Sequence, residues 1–390
     1  NILSKLFKLI IILFSARILG PSVYGSFSYA LSFLGIFFIF SDFGVGNILV
    51  RDYQQKEDKK NLIDSAFSLK IFLIIFVSIL SILGFLFLKD LEAKKVYFIL
   101  LLVLIFDNLK NFFFSILSAI QRMERQAFVD FFANLIILIL GVVLLLNIRS
   151  INSLGFAYLS GAILGFFLSK YFVDYFRIKI NFDVNPEKIK YFIVNGIPLM
   201  LFGILSFIFF STDQLLLGYF RTMEEVGYYS IVTKLILNIN LFPSLFLVAL
   251  FPYLASKVND RFKVREITKK ILLILTLSAF FISLFLYLLA PYIVQLILGP
   301  KYYQSISILR YLIWIIIFLF PTMLFDNILF AFNKQWQDFG ITLFAAILNL
   351  ILNIFLIPVY GVYGAIIGSL IAQITNLILS SILVHKTICG

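Results

Sequence analysis

Cysteine and histidine are almost missing from this chain of 390 residues, which holds one of each, Cys389 and His385, both at its C-terminal end. No disulfide framework or thiolate metal site can be assembled from them. HExxH, GxxxxGKS/T and GxSxG patterns are also missing. Zinc hydrolysis, P-loop nucleotide binding and a serine-hydrolase elbow are therefore excluded. These losses argue against a self-contained enzyme and against an ATP-driven pump. They leave room for a membrane glycosyltransferase, whose chemistry needs only a few carboxylates. Charge is scarce as well, at 13% of residues.

Hydrocarbon fills the space that charge vacates. Hydrophobic residues make up 62% of the chain, and the mean hydropathy is +1.05. They come in runs of about 20, the length that spans a bilayer core of roughly 30 Å as helix. A transmembrane barrel would show short alternating strands, and stretches such as Leu69–Leu88 do not alternate. The fold class is all-α integral membrane, with about twelve transmembrane helices. They are expected at 3–19, 27–49, 66–88, 97–120, 127–146, 154–176, 191–217, 226–254, 271–293, 305–332, 339–357 and 363–385.

With the N-terminus placed inside, twenty-one lysines and arginines fall on the cytoplasmic side, Lys56 and Lys70 among them, against seven outside. That bias orients the chain with both termini in the cytoplasm of a multi-pass cell-membrane protein. It also accounts for the net charge of +12 without nucleic acid as a partner; contact with anionic lipid is expected instead.

The polar stretch 177–190 divides the chain into an N-terminal six-helix bundle, 1–176, and a C-terminal one, 191–390, and is expected to be a cytoplasmic inter-bundle loop. The halves echo each other. Leu19-Gly20 followed by Val23-Tyr24-Gly25-Ser26-Phe27-Ser28 is similar to Leu217-Gly218 followed by Val226-Gly227-Tyr228-Tyr229-Ser230. Gly161-Ala162-Ile163-Leu164-Gly165 is similar to Gly364-Ala365-Ile366-Ile367-Gly368. Six being even, the halves would share one orientation as pseudo-symmetric bundles about an axis along the membrane normal, a layout suited to alternating access.

Ionisable residues inside apolar spans each cost roughly 2.5–3.5 kcal/mol on insertion scales, so they face the interior and find partners. Arg17, Lys110, Lys234 and Arg310 are the cations, and Asp42, Asp107, Asp213 and Asp326 the acids. Lys110 follows Asp107 by three residues, so the two can pair on one helix. Arg17, Lys234 and Arg310 lie near enough to helix ends to snorkel. The functional alternative is that the four cations converge in an outward-facing vestibule and grip a diphosphate. Asp42, Asp213 and Asp326 would pair charge or couple transport to H⁺ or Na⁺. Pro198, Pro243 and Pro321 are expected inside helices, where each frees a carbonyl. The glycine pairs 161/165 and 364/368 permit close packing. No soluble cofactor or metal is implied.

At the echoing segments the sequence resembles a known family. Ala16-Arg17-Ile18-Leu19-Gly20-Pro21-Ser22-Val23-Tyr24-Gly25-Ser26-Phe27-Ser28-Tyr29-Ala30, then Phe40-Ser41-Asp42-Phe43-Gly44-Val45-Gly46 leading into Arg51, resemble the opening of polysaccharide-biosynthesis membrane proteins. Thr212-Asp213-Gln214-Leu215-Leu216-Leu217-Gly218 with Val226-Gly227-Tyr228-Tyr229-Ser230 and Lys234-Leu235 is similar in the same way. These are lipid-linked oligosaccharide flippases of the O-antigen type, in the superfamily that also holds multidrug extruders and lipid II flippases. The resemblance implies a two-bundle transporter that carries an undecaprenyl- or dolichyl-linked glycan to the outer leaflet. The glycan-lipid, the bilayer and other polysaccharide-assembly membrane proteins are the partners it implies. A cation-coupled multidrug or metabolite antiporter of the same superfamily is the nearest rival, although the intramembrane cations favour an anionic substrate. A membrane glycosyltransferase or polymerase is the rival from another class.

Overall fold

A computed structural model describes residues 2–55, 58–258 and 260–389. Lys56, and the side chain of Cys389, lie outside the described residues.

Among the described residues the regular structure is helical throughout, with no strand. The first seven helices are α1 (Ile2–Leu19), α2 (Pro21–Asp42), α3 (Val45–Tyr53), α4 (Lys59–Gly84), α5 (Leu91–Ala119), α6 (Met123–Asn147) and α7 (Ile151–Tyr175). Then come α8 (Pro186–Phe220), α9 (Met223–Ile239), α10 (Leu241–Ser256) and α11 (Arg261–Ile293). The last four are α12 (Gln304–Leu312), α13 (Ile315–Ala331), α14 (Gln335–Tyr360) and α15 (Val362–Cys389). Eleven spans built from these are long and apolar enough to cross a membrane. α1 is 18 residues long but carries Lys5, Lys8 and Arg17, so the total is eleven or twelve.

Three helices expected as single pieces are broken. Phe43 and Gly44 both take left-handed backbone, with φ of 46° and 66°, and separate α2 from α3. Ile313 and Trp314 separate α12 from α13 through hydrogen bonds shortened to i−3, Ile316 N to Ile313 O and Ile317 N to Trp314 O, both 3.2 Å. α9 ends at Ile239, and Pro243 is the third residue of α10 rather than a residue inside one long helix. Its missing N–H is harmless there, because first-turn amides have no intrahelical partner. Pro198 and Pro321 do lie inside helices, as do Pro252, Pro291 and Pro358.

α4 shows how lipid inverts the usual helix. Its exposed face is Phe72, Ile75, Phe76, Ile79 and Leu83, while Ser68, Lys70 and Ser81 are buried. A hydrocarbon solvent rewards that arrangement, since every polar group must be satisfied inside the protein.

The chain forms two compact units, residues 1–207 and 208–390. In the first, α5 and α6 pack on α7, α1 on α6 and α2 on α5. The stretch 177–190 is bound to this unit: Asn181 N donates to Asp64 (2.8 Å) and Asp183 N to Ser68 Oγ (2.9 Å). The start of α8 belongs with it, Phe192 being fully buried beside Ile48, Leu62 and Ile116. In the second unit α15 packs on α13 and α14, and α13 on α10 and α11. The two echoing motif pairs hold matching places in the topology. One pair spans the α1–α2 and α8–α9 junctions, and the other lies on α7 and α15.

Candidate functional site

In the second unit Asp213 sits two turns before the end of α8, 4% exposed, inside a shell of uncharged polar groups. Tyr229 of α9 donates its hydroxyl proton to Asp213 Oδ2. Ser369 of α15 donates to the same oxygen (2.7 Å), and Asn353 Nδ2 of α14 to Oδ1 (2.5 Å). Asn353 Nδ2 also reaches Asn349 Oδ1 (3.1 Å), and Asn349 Nδ2 reaches Ser369 Oγ (3.4 Å). Four helices therefore converge on one carboxylate. Gly368 permits the approach, since a Cβ there would stand 3.2 Å from Asn353 Cγ.

Beside Asp213 lies a cavity of about 50 Å³ bounded by Tyr229, Thr233, Ser369 and Gln373 and by apolar groups such as Leu319. That volume exceeds what one water or a small ion needs. The Asn353 Oδ1 atom is buried with no hydrogen-bond partner. Hard oxygen donors around a carboxylate, with an acceptor to spare, are chemistry suited to a proton or an alkali cation.

The first unit holds a cavity of about 220 Å³ whose lining is charged: Lys5 and Lys8 of α1, Asp107 and Lys110 of α5, Asp130 of α6 and Tyr158 of α7. Lys110 Nζ lies 2.9 Å from Asp107 and 3.8 Å from Asp130, and 5.6 Å from the Phe114 ring centre. The i,i+3 pair expected from sequence is present, with a second acid added from the next helix. Gly165 makes room for the lysine stem, because a Cβ there would stand 2.8 Å from Lys110 Cδ.

Asp42 ends α2 and pairs with Lys70 of α4 at 3.1 Å. Lys70 is not a loop cation, as its place near the start of an apolar run suggested. α4 begins at Lys59, seven residues before the expected boundary, so Lys70 lies three turns inside the helix. It is 2% exposed and also donates to Ser41 O (2.9 Å) and Asn108 Oδ1 (3.1 Å).

The four cations fall two to each unit. Arg17 is exposed in the last turn of α1, and Lys110 lines the charged cavity. Lys234 is half-buried on α9. Arg310 on α12 donates to Tyr287 O (3.3 Å), with its guanidinium 5.3 Å from the Tyr287 ring centre. Asp326 is half-buried on α13, and the charged group acting on it is Asp338 of α14.

Reading the sequence by charge overlooked Asn349, Asn353, Ser369 and Gln373. A periodic signal was there: Asn349/Asn353 recur at i,i+4, and Ser369, Gln373, Asn376 and Ser380 recur at i+4, i+7 and i+11 in otherwise apolar helices. Such a row marks one helix face.

The chain matches the profile of the family described as "Polysaccharide biosynthesis protein" over residues 1–258, and that of MatE over residues 198–355. It is 23% identical over 385 residues to the capsular polysaccharide biosynthesis protein CapF of Staphylococcus aureus, covering 97% of this chain and 95% of that protein. Among solved structures it resembles an inward-facing multidrug resistance MATE family transporter of the MOP superfamily. The TM-score is 0.83 at 15% identity, covering 99% of this chain and 94% of that one. It also resembles the lipid II flippase MurJ in an inward closed conformation, with a TM-score of 0.77 at 18% identity, covering 99% and 88%. At such identities it is the fold that is shared.

Proposed function

The chain belongs to the polysaccharide biosynthesis protein family, and on that premise we propose that it is a flippase for a polyprenyl-diphosphate-linked oligosaccharide. It moves the headgroup from the inner to the outer leaflet by alternating access, with both termini in the cytoplasm. No bond of the substrate is made or broken. The observation that carries the proposal is the family match over residues 1–258, supported by the similarity to CapF along 97% of the chain.

Arg17, Lys110, Lys234 and Arg310 supply positive charge for the diphosphate. Guanidinium binds phosphate oxygens in bidentate fashion, and ammonium acts as a point charge. Asp213 is the residue we assign to ion coupling. It is enclosed, hydrogen-bonded from three helices besides its own and adjoined by a cavity of ionic size. Loading that site with Na⁺ or H⁺ changes the charge at the centre of a four-helix junction, and helix packing there has to answer. Asp42 is assigned to charge pairing with Lys70. Other polysaccharide-assembly membrane proteins are the expected partners.

Proteoliposomes carrying a labelled polyprenyl-diphosphate oligosaccharide test the assignment. Wild type moves the headgroup across the bilayer and responds to an imposed Na⁺ or H⁺ gradient. Lys234→Ala and Lys110→Ala move it several-fold more slowly, and Asp213→Asn loses the gradient response. A multidrug or metabolite antiporter is the alternative, favoured by the MatE match over residues 198–355. Gradient-driven efflux of organic cations without lipid movement would establish it.

A further inference from the structure

Two arginines at the α5–α6 turn are held over aromatic rings rather than over acids. α5 ends in a Schellman motif: Gln121 takes left-handed backbone (φ 60°), its N–H donates to Ser118 O (2.9 Å), and Arg122 N–H donates to Leu117 O (2.8 Å). Gln126, in the first turns of α6, then donates to Phe114 O (2.5 Å) and Ser118 Oγ (2.6 Å). The turn that carries Arg122 and Arg125 is thereby clamped onto the end of α5. The Arg122 guanidinium lies 5.4 Å from the Phe176 ring centre, and that of Arg125 lies 5.2 Å from the Phe172 ring centre. Phe172 and Phe176 are one turn apart at the end of α7, where Phe176 N donates to Phe172 O (3.1 Å). The two guanidiniums are therefore neighbours, each laid on its own ring.

Their outward donors are not matched from within the protein. Among the described residues Arg122 has one ion-pair partner, Glu124 at 3.6 Å, and both of those side chains are exposed. Arg125 is half-buried, and its Nε is enclosed without a hydrogen-bond partner. Among the described residues its guanidinium meets the Phe172 ring and no acid. Its Nη groups, unlike Nε, are not enclosed, so they present their N–H donors outward. Neighbouring guanidiniums repel unless an anion lies between them. Their planar forks match the oxygens of a carboxylate or a phosphate.

The surroundings choose between those two anions. Met123, Phe128, Tyr171 and Tyr175 are all exposed beside the arginines. Phe128 and Tyr171 touch Phe172, with ring centres 5.8 and 5.6 Å away, and Tyr175 touches Phe176 at 5.4 Å. Exposed aromatic rings at the ends of membrane-crossing helices mark the headgroup layer, and phosphate is the oxyanion of that layer. We propose that Arg122 and Arg125 bind the phosphate of a membrane lipid, whose chain lies along the exposed rings of Phe128 and Phe132 on α6. On the orientation proposed above the site faces the inner leaflet. It is separate from Arg17, Lys110, Lys234 and Arg310.

Native mass spectrometry of the purified full chain in detergent tests the proposal. The probes are dioleoylphosphatidylglycerol, undecaprenyl diphosphate, phosphate-free dioleoylglycerol and inorganic phosphate. At least one of the two phosphate lipids is expected to bind, and dioleoylglycerol is not. Arg122→Gln combined with Arg125→Gln weakens the tightest lipid-binding step about tenfold or more. Arg125→Lys keeps the charge but loses the fork, and weakens that step several-fold. Lys170→Gln removes an exposed cation of α7 and leaves the step unchanged. Whichever lipid shows the arginine dependence supports the proposal, and its identity separates a bilayer lipid from the glycan carrier. Size-exclusion profiles report folding, and Arg125→Lys carries the test where the double change disturbs it. The proposal is overturned if the arginine variants bind both lipids as wild type does. It is equally overturned if Lys170→Gln weakens binding as much as the arginine changes, since diffuse charge would then suffice. Arginine-dependent binding of inorganic phosphate, with neither lipid bound, would also overturn it. Binding is read without transport, so its failure is distinct from failure of the flippase assignment.

Discussion

Lys70 and Asp42 lie 3.1 Å apart in unlike surroundings, the ammonium 2% exposed and the carboxylate 62% exposed. Removing the exposed partner should therefore do more harm than removing the buried one. Asp42→Asn leaves a buried cation with neutral acceptors only, at a cost of about 3 kcal/mol. Lys70→Met leaves an acid that water can solvate and an Asn108 Oδ1 that still accepts from Ser41 Oγ (2.7 Å), at a cost of about 1 kcal/mol. Thermal unfolding of the purified variants measures the order, and the reverse order would show that the exposed carboxylate does not hold the buried ammonium.

Ser369 contributes one of the donors on Asp213 from a helix that also packs on α13 and α14. Ser369→Ala should cost about 1–2 kcal/mol, the range for one hydrogen bond to a charged group within a membrane. It should also weaken any stabilisation by Na⁺. Thr375→Val, at a half-buried position of α15 whose hydroxyl donates to Ile371 O of the same helix (2.8 Å), should leave both unchanged. Melting curves with and without Na⁺ read the two effects together.

Gly165 and Lys110 compete for one volume. Gly165→Ala should displace the lysine stem and loosen its pair with Asp107, lowering stability by about 1–3 kcal/mol. Adding Lys110→Ala should relieve the crowding, so that the double variant is more stable than the sum of the single changes implies. A double-mutant cycle with a coupling energy near zero would show that the glycine acts through another neighbour.

Asp58 caps α4 from outside the membrane. Its carboxylate accepts from Asn61 N (3.3 Å) and from Asn61 Nδ2 (2.7 Å), and its other partner is Lys188 Nζ at 2.9 Å. The hydrogen bond from Lys188, and then that from Asn61, holds its pKa below the ordinary carboxylate value. A depressed value means that the stabilisation is present above the unfolded pKa, about 3.9, and is lost as pH falls through the lower folded one. Amide exchange in the first turn of α4 should thus accelerate only below about pH 4. In Asp58→Ala it should be fast at every pH.

The membrane class, the two echoing halves and the acids Asp42, Asp213 and Asp326 were legible in the sequence because each rests on a local property. Apolar length, charge inside an apolar run and repeated junction residues need no tertiary contact to be recognised. Helix breaks without proline were not legible, since Phe43–Gly44 and Ile313–Trp314 are set by backbone conformations that packing imposes. Lys70 was misplaced for a related reason. A lysine beside a helix end is ordinarily solvated, and only the longer α4 puts this one three turns deep.

The sequence by itself determined that this chain lives in a bilayer and that it carries no HExxH, GxxxxGKS/T or GxSxG motif. It also marked Asp42, Asp107, Asp213 and Asp326 and the cations Arg17, Lys110, Lys234 and Arg310 as charges inside apolar runs. Composition and periodicity suffice for that, because a charge deep in an apolar run is penalised by lipid whichever helix it lies on. Only the tertiary structure decided which charges meet. It joined Asp213 to Asn353 and Ser369 across 140 and 156 residues, Lys110 to Asp130, and Lys70 to Asp42. Those pairings depend on which helix faces turn toward one another, and that orientation comes from side-chain packing over long sequence separations.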